Sequence, residues 1–256
     1  MTIDLGPIRT GTESAGDLTI GFREIGDPAR QPVVLLHGLG SGAVTWDAFA
    51  AALAAAGRWA IALDARGHGA SSRPGNYSLE LMIGDVLAFL DHRGLGEVDL
   101  VGHSMGGSVA QLFAAGHPER VRRLVVEEAA PPPHTVPAGP LPEPPAEPPT
   151  PVDYDWRLVG PLFRRFRTPD PAWWSRLASI TAPTLVVAGG PASMVSQERI
   201  RLLAEAIPDA RLVEVAAGHR VHRDAPGAFV EAVLPFLSGD ENTPARRPGR
   251  SPTGFS

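Results

Sequence analysis

Short apolar runs alternate with segments of helical spacing along most of this chain. That alternation restricts the fold more than any other feature. Residues 32–37 (Pro-Val-Val-Leu-Leu-His) and 59–64 (Trp-Ala-Ile-Ala-Leu-Asp) have the make-up of parallel strands buried on both faces. Residues 98–101, 121–127, 183–188 and 211–216 extend the series, and 17–24 alternates as a half-buried strand does. Helical spacing fills the gaps at 45–56, from Ser78 to near Gly94, and at 105–115, 195–206 and 226–237. The pattern predicts βαβ units, hence an α/β fold with a mostly parallel central sheet and helices on both faces.

The rhythm breaks at Pro131. From there to Pro151 about half of the residues are proline, which excludes helix and interior strand. Residues 153–178 then hold helical patches anchored by Trp156, Leu158, Leu162, Phe163, Phe166, Trp173 and Trp174. The expected organisation is a core of residues 1–130 and 179–238, a short Pro-rich, helical insertion at 131–178, and a disordered tail at 239–256. Ligands of such sheets bind beyond the carboxyl ends of the strands. The insertion leaves from such an end, so it is expected to cover the site as a lid. A stiff hinge suits its prolines better than a partner-docking segment does.

Composition removes several chemistries. The 256 residues contain no cysteine and no lysine, which excludes disulfides, thiolate metal sites, cysteine nucleophiles and Schiff-base chemistry. A net charge of −5 argues against a nucleic-acid or anionic-membrane partner. The start carries no signal-like apolar run and no stretch reaches membrane-spanning length, so a soluble cytoplasmic protein is expected. Nothing in the sequence bears on oligomeric state.

The chemistry concentrates in Gly102-His103-Ser104-Met105-Gly106, a G-x-S-x-G pentapeptide that follows a predicted strand and opens a predicted helix. A sharp turn there exposes the serine hydroxyl, and the glycines leave room for neighbouring backbone. Ser104 is therefore the expected nucleophile. A serine hydroxyl needs a base, and His219, after the last strand, stands where a base would. His222, three residues on, is the runner-up.

Five segments together resemble the α/β-hydrolase superfamily, in its single-domain esterase, lactonase and C–C-hydrolase branch. They are His37-Gly38-Leu39-Gly40, Asp64 to Ser71, the elbow around Ser104, Pro118 to Val125, and Gly218-His219. The resemblance implies an α/β-hydrolase fold and an oxyanion hole made of the backbone amides of Leu39 and Met105. It also implies that His37 is structural. The chain departs from the family where an aspartate usually follows the strand at 183–188. Here that loop reads Gly189-Gly-Pro-Ala-Ser-Met-Val195, without a carboxylate. Some members, haloalkane dehalogenases among them, place the acid at the end of the preceding strand. By that match Glu128 is the expected third member, with Glu127, or another acid or none, as the alternatives; Glu198, the first acid beyond the loop, is expected on the next helix and too far away. Adjacent strand residues face opposite ways, so Glu127 and Glu128 are not both expected to reach His219.

The expected activity is hydrolysis of a small, fairly apolar ester or lactone through an acyl-enzyme, with no metal or organic cofactor. Gly38, His103, His222, Trp156 and Trp173 are candidates for contact with the small-molecule substrate. C–C bond hydrolysis, a cofactor-free haloperoxidase-like activity and a ligand sensor that keeps the pocket are the competing expectations. Epoxide hydrolase and dehalogenase chemistry would call for aspartate at position 104.

Overall fold

A computed structural model describes residues 6–136 and 143–239. The central sheet has eight strands: β1 (Arg9–Ala15), β2 (Leu18–Ile25), β3 (Pro32–Leu36), β4 (Trp59–Leu63), β5 (Val98–His103), β6 (Val121–Glu127), β7 (Thr184–Ala188) and β8 (Ala210–Glu214). Their order across the sheet is β1-β2-β4-β3-β5-β6-β7-β8. The first three lie antiparallel, while every pair from β4 to β8 is parallel. β1 is an addition to the sequence reading.

The helices are α1 (Asp47–Ala55), α2 (Leu79–His92), α3 (Met105–Gly116), α4 (Val159–Arg167), α5 (Pro171–Leu177), α6 (Gln197–Ala206), α7 (Val221–Asp224) and α8 (Pro226–Ser238). Their boundaries follow local chemistry. Ser78 accepts the Leu81 amide at the start of α2, and Ser196 accepts that of Arg199 at the start of α6. Pro226 opens α8, and Gly239 closes it with φ 85. Strand alternation splits the core in two. Val34, Leu36, Leu100, Leu124 and Val126 face α2, α3 and α6. Val33, Leu35, Val101, Val125 and Val187 face α1 and α8.

The segment between β6 and β7 carries α4 and α5, and core contacts tie it down. The Trp173 indole donates to Gln111 Oε1 at 3.2 Å, Tyr77 donates to Asp155, and Tyr154 stacks on His68. The tail from residue 240 and residues 137–142 of the Pro-rich stretch lie outside the described residues. No helix is long and apolar enough to cross a membrane among those described.

Candidate active site

Five loops leave the carboxyl ends of β3, β5, β6, β7 and β8 and meet at one edge of the sheet, where doubly wound sheets hold their ligands. Ser104 follows β5 directly and has φ 51 and ψ −116. No L-residue adopts that conformation freely. The turn needs glycine around it. A Cβ on Gly102 would run into the Gly106 carbonyl, and one on Gly106 into the carbonyl of Leu36. The Ser104 amide donates to the Glu127 carbonyl at 2.9 Å and the Gly106 amide to that of His37 at 3.1 Å, which pins the turn to both neighbouring strands.

His219 stands in the loop after β8. The Ser104 hydroxyl donates to its Nε2 at 3.1 Å, and its Nδ1 faces Glu128 Oε2 at 3.4 Å. Glu128 sits just past β6 with φ 51; it and Ser104 are the non-glycine residues with positive φ among the described residues. These two outliers meet at one histidine, and such strain persists only where the surrounding structure holds it. Glu128 also accepts from the Gly189 amide, the Ser193 hydroxyl and the Gln197 side chain. Burial pushes its carboxyl up, but the hydrogen bonds from His219, Ser193, Gly189 and Gln197 prevail and hold it below the ordinary range. The β7–α6 loop, which has no carboxylate of its own, supplies the Gly189 and Ser193 donors, and the first residue of α6 supplies the Gln197 one. Ser193 and Gln197 escaped the sequence reading; the signal was polar residues in the loop where an acid was missing.

Glu127 points the other way. Its carboxylate accepts from the His222 amide at 2.9 Å and from His222 Nδ1 at 2.8 Å, in a layer beneath the cleft. Glu198, on α6, is exposed and is not among the groups that hold His219. His103 lies between the two histidines. Its Nε2 donates to the His219 carbonyl at 2.7 Å, and its ring lies 4.8 Å from that of His219 and 5.0 Å from that of His222. His103, Glu127 and His222 are buried and place one ligand atom each within 4.8 Å of one another, a spacing a metal ion can use; the Glu127 carboxylate is engaged by His222, while His103 Nδ1 and His222 Nε2 have no protein partner.

A cleft of about 400 Å³ opens over Ser104 and His219. Leu39, Met105, Ala129, Phe163, Phe166 and Met194 are among its lining, with Arg167 and Arg199. The amides of Leu39 and Met105 donate to no protein acceptor among the described residues. Gly38 lies against Ser104, since a Cβ there would sit 3.2 Å from the serine Cβ. Four candidates for substrate contact fall elsewhere, among them His103, which is buried outside the cleft lining. Trp173 and His222 are core residues, and Trp156 donates its indole to the Pro145 carbonyl away from the cleft lining. Phe163 and Phe166, named only as anchors in the sequence, take that place. A larger groove of about 750 Å³, beside residues 40–45, contains neither Ser104 nor His219.

His37 and Asp64 brace the rim. His37 Nδ1 donates to the Gly38 carbonyl and its Nε2 accepts the Ala65 amide, while Asp64 accepts the amides of Ala43 and Ala70. Both are spent on backbone.

The family model described as alpha/beta hydrolase fold matches residues 31–147. An sn-1-specific diacylglycerol lipase of Mus musculus, ABHD11, is 28% identical over 254 residues, covering 83% of each chain. A 2-hydroxy-6-oxo-2,4-heptadienoate hydrolase of Pseudomonas putida is 37% identical over 116 residues, 44% of this chain and 41% of that protein. The solved structure of the enol-lactonase from Burkholderia xenovorans superposes with a TM-score of 0.76 at 22% identity, over 89% of this chain and all of that one, a likeness of fold. The strand order, the elbow and these likenesses agree: the chain has the α/β-hydrolase fold and is similar to members of that superfamily.

Proposed function

We propose that this chain is a serine hydrolase that cleaves a small, fairly apolar carboxylic ester or lactone by a Ser104–His219–Glu128 triad. The observation that carries the reading is the relay at the cleft floor: Ser104 Oγ 3.1 Å from His219 Nε2, and His219 Nδ1 3.4 Å from Glu128. His219 Nδ1–H directed at the carboxylate leaves the Nε2 lone pair free for the serine proton. Attack on the ester carbonyl transfers that proton to Nε2. The open amides of Leu39 and Met105 receive the oxyanion, and each such donor is worth roughly 10²–10³ in rate. The imidazolium then protonates the leaving oxygen. Water next gives its proton to His219 and its oxygen to the acyl carbon, which releases the acid and restores Ser104. The insertion at 131–178 acts as the lid, with Phe163 and Phe166 supplying apolar walls.

The Pseudomonas putida resemblance supports a second reading, C–C bond hydrolysis at the same serine. A fluorophosphonate probe tests the nucleophile itself. Stoichiometric labelling of Ser104 and loss of both label and ester turnover in Ser104→Ala are expected. An unlabelled, catalytically silent wild-type protein would reject the reading.

A further inference from the structure

Arg167, the last residue of α4, and Arg199, in the first turn of α6, both line the Ser104 cleft. Three arginines of the insertion are neutralised: Arg157 holds Asp155, Arg164 holds Glu143 and Arg165 holds Asp170, while Arg176 is exposed and outside the cleft lining. Arg167 instead lies over the Phe163 ring, 3.6 Å from its centroid. Arg199 donates to the Pro131 carbonyl at 2.9 Å. Neither has a carboxylate within ion-pair distance among the described residues. The one acid of the cleft wall, Glu128, is committed to His219, Ser193, Gln197 and the Gly189 amide. Burial works against the charge on Arg199, and no neighbouring carboxylate offsets it.

A guanidinium stays charged at any working pH and presents a planar fork that matches an oxyacid. In a chain of net charge −5, two partly buried cations without counter-ions among the described residues line one cleft. Its remaining wall is mostly apolar. We infer that Arg199 and Arg167 form an anion subsite of the Ser104 cleft, so that the molecule cleaved there joins an apolar body to a negatively charged oxyacid group. The inference deepens the serine-hydrolase reading and rests on it for the bond that is cleaved. The subsite itself can be tested without turnover.

Two matched pairs of esters probe it, one with the charge on the acyl side and one with it on the leaving group. Mono-para-nitrophenyl adipate is compared with para-nitrophenyl hexanoate, and para-carboxyphenyl hexanoate with its methyl ester. In at least one pair the wild type should prefer the anion by roughly tenfold or more in kcat/KM, mainly through KM, as a charge-assisted pair implies. Arg199→Gln should collapse that ratio, Arg199→Lys should restore part of it, and Arg167→Gln should reduce it less. Raised salt should weaken it. The same carboxylates should bind Ser104→Ala protein more tightly than their neutral partners, and Arg199→Gln should remove the difference. If wild type hydrolyses none of the esters while this binding preference holds, the nucleophile reading fails and the subsite stands. Equal handling within both pairs, in turnover and in binding, overturns the subsite.

Discussion

Two histidine–glutamate pairs lie back to back at the end of β6, built from adjacent glutamates and from histidines three residues apart. The outer pair, His219 with Glu128, spans 3.4 Å, and the His219 side chain is 24% exposed. The inner pair, His222 with Glu127, spans 2.8 Å, and neither side chain is more than 1% exposed. The tighter pair is the one with no route to a substrate. His222 stacks on Trp46 at 4.0 Å and its Nε2 meets no protein partner. His219 has a serine hydroxyl at the corresponding nitrogen. On the proposed relay, what separates a base from a structural clamp is what the second nitrogen faces, not how well the first is held. The end of the strand separates the two carboxylates: Glu127 is the last residue of β6 and turns to His222, while Glu128, just past it with φ 51, turns to His219.

The largest effect expected from breaking this comparison is in Glu128→Gln. The substitution keeps shape but removes the charge that steadies the imidazolium. It should lower kcat by on the order of 10³–10⁴-fold, with a melting temperature within a few degrees of wild type. Steady-state kinetics on an activated ester, with a thermal melt on the same preparation, makes the measurement. Near-normal turnover in a folded Glu128→Gln protein would take the carboxylate out of the relay.

Glu127→Gln should invert that pattern. Glutamine has one acceptor oxygen where Glu127 uses both to hold the His222 amide and ring. A buried group left short of a partner costs about 2–3 kcal/mol, or roughly 5–10 °C for a domain of this size. Turnover should fall by no more than about tenfold, through looser seating of the loop that carries His219. A stable but inactive Glu127→Gln protein would transfer the relay to the inner pair.

The sequence discloses one pair more readily than it separates the two. Alternating apolar runs announce the parallel sheet, and the pentapeptide after β5 announces the elbow, because a period of two and a glycine-rich turn are local properties. β1 is silent: Arg9–Ala15 is mostly exposed and carries no apolar alternation, so only its antiparallel register with β2 defines it. The positive φ of Glu128 is equally silent, since nothing about glutamate signals left-handed backbone. The same holds for Trp173 and Trp156. Aromatic residues of the insertion read alike in sequence, and only packing shows that Phe163 and Phe166 reach the cleft while Trp173 joins the core.

The effect smallest per step, spread over more than two pH units, concerns His103, which touches the outer pair through the His219 carbonyl and lies beside the inner one. Burial is the main cause that lowers its pKa from 6.5 to about 4, and His68, also buried, is lowered to about 4. In the unfolded chain both take up protons near pH 6.5. Between pH 6.5 and 4 the unfolded state binds more protons, so stability falls as pH falls. Above pH 6.5 both forms are neutral and the contribution is complete. The depressed carboxyl of Glu128 acts in the same direction at lower pH, since its contribution is lost as pH falls through its folded value. One proton of difference is worth about 1.4 kcal/mol per pH unit, which sets a slope of about 3–5 °C per unit for each histidine. Thermal melts from pH 8 to 4 should be flat above 6.5 and fall below it. His103→Asn should melt with a shallower slope over that range. An unchanged slope would mean that His103 titrates in the folded protein as it does in water, which is incompatible with a neutral ring seated between the two pairs.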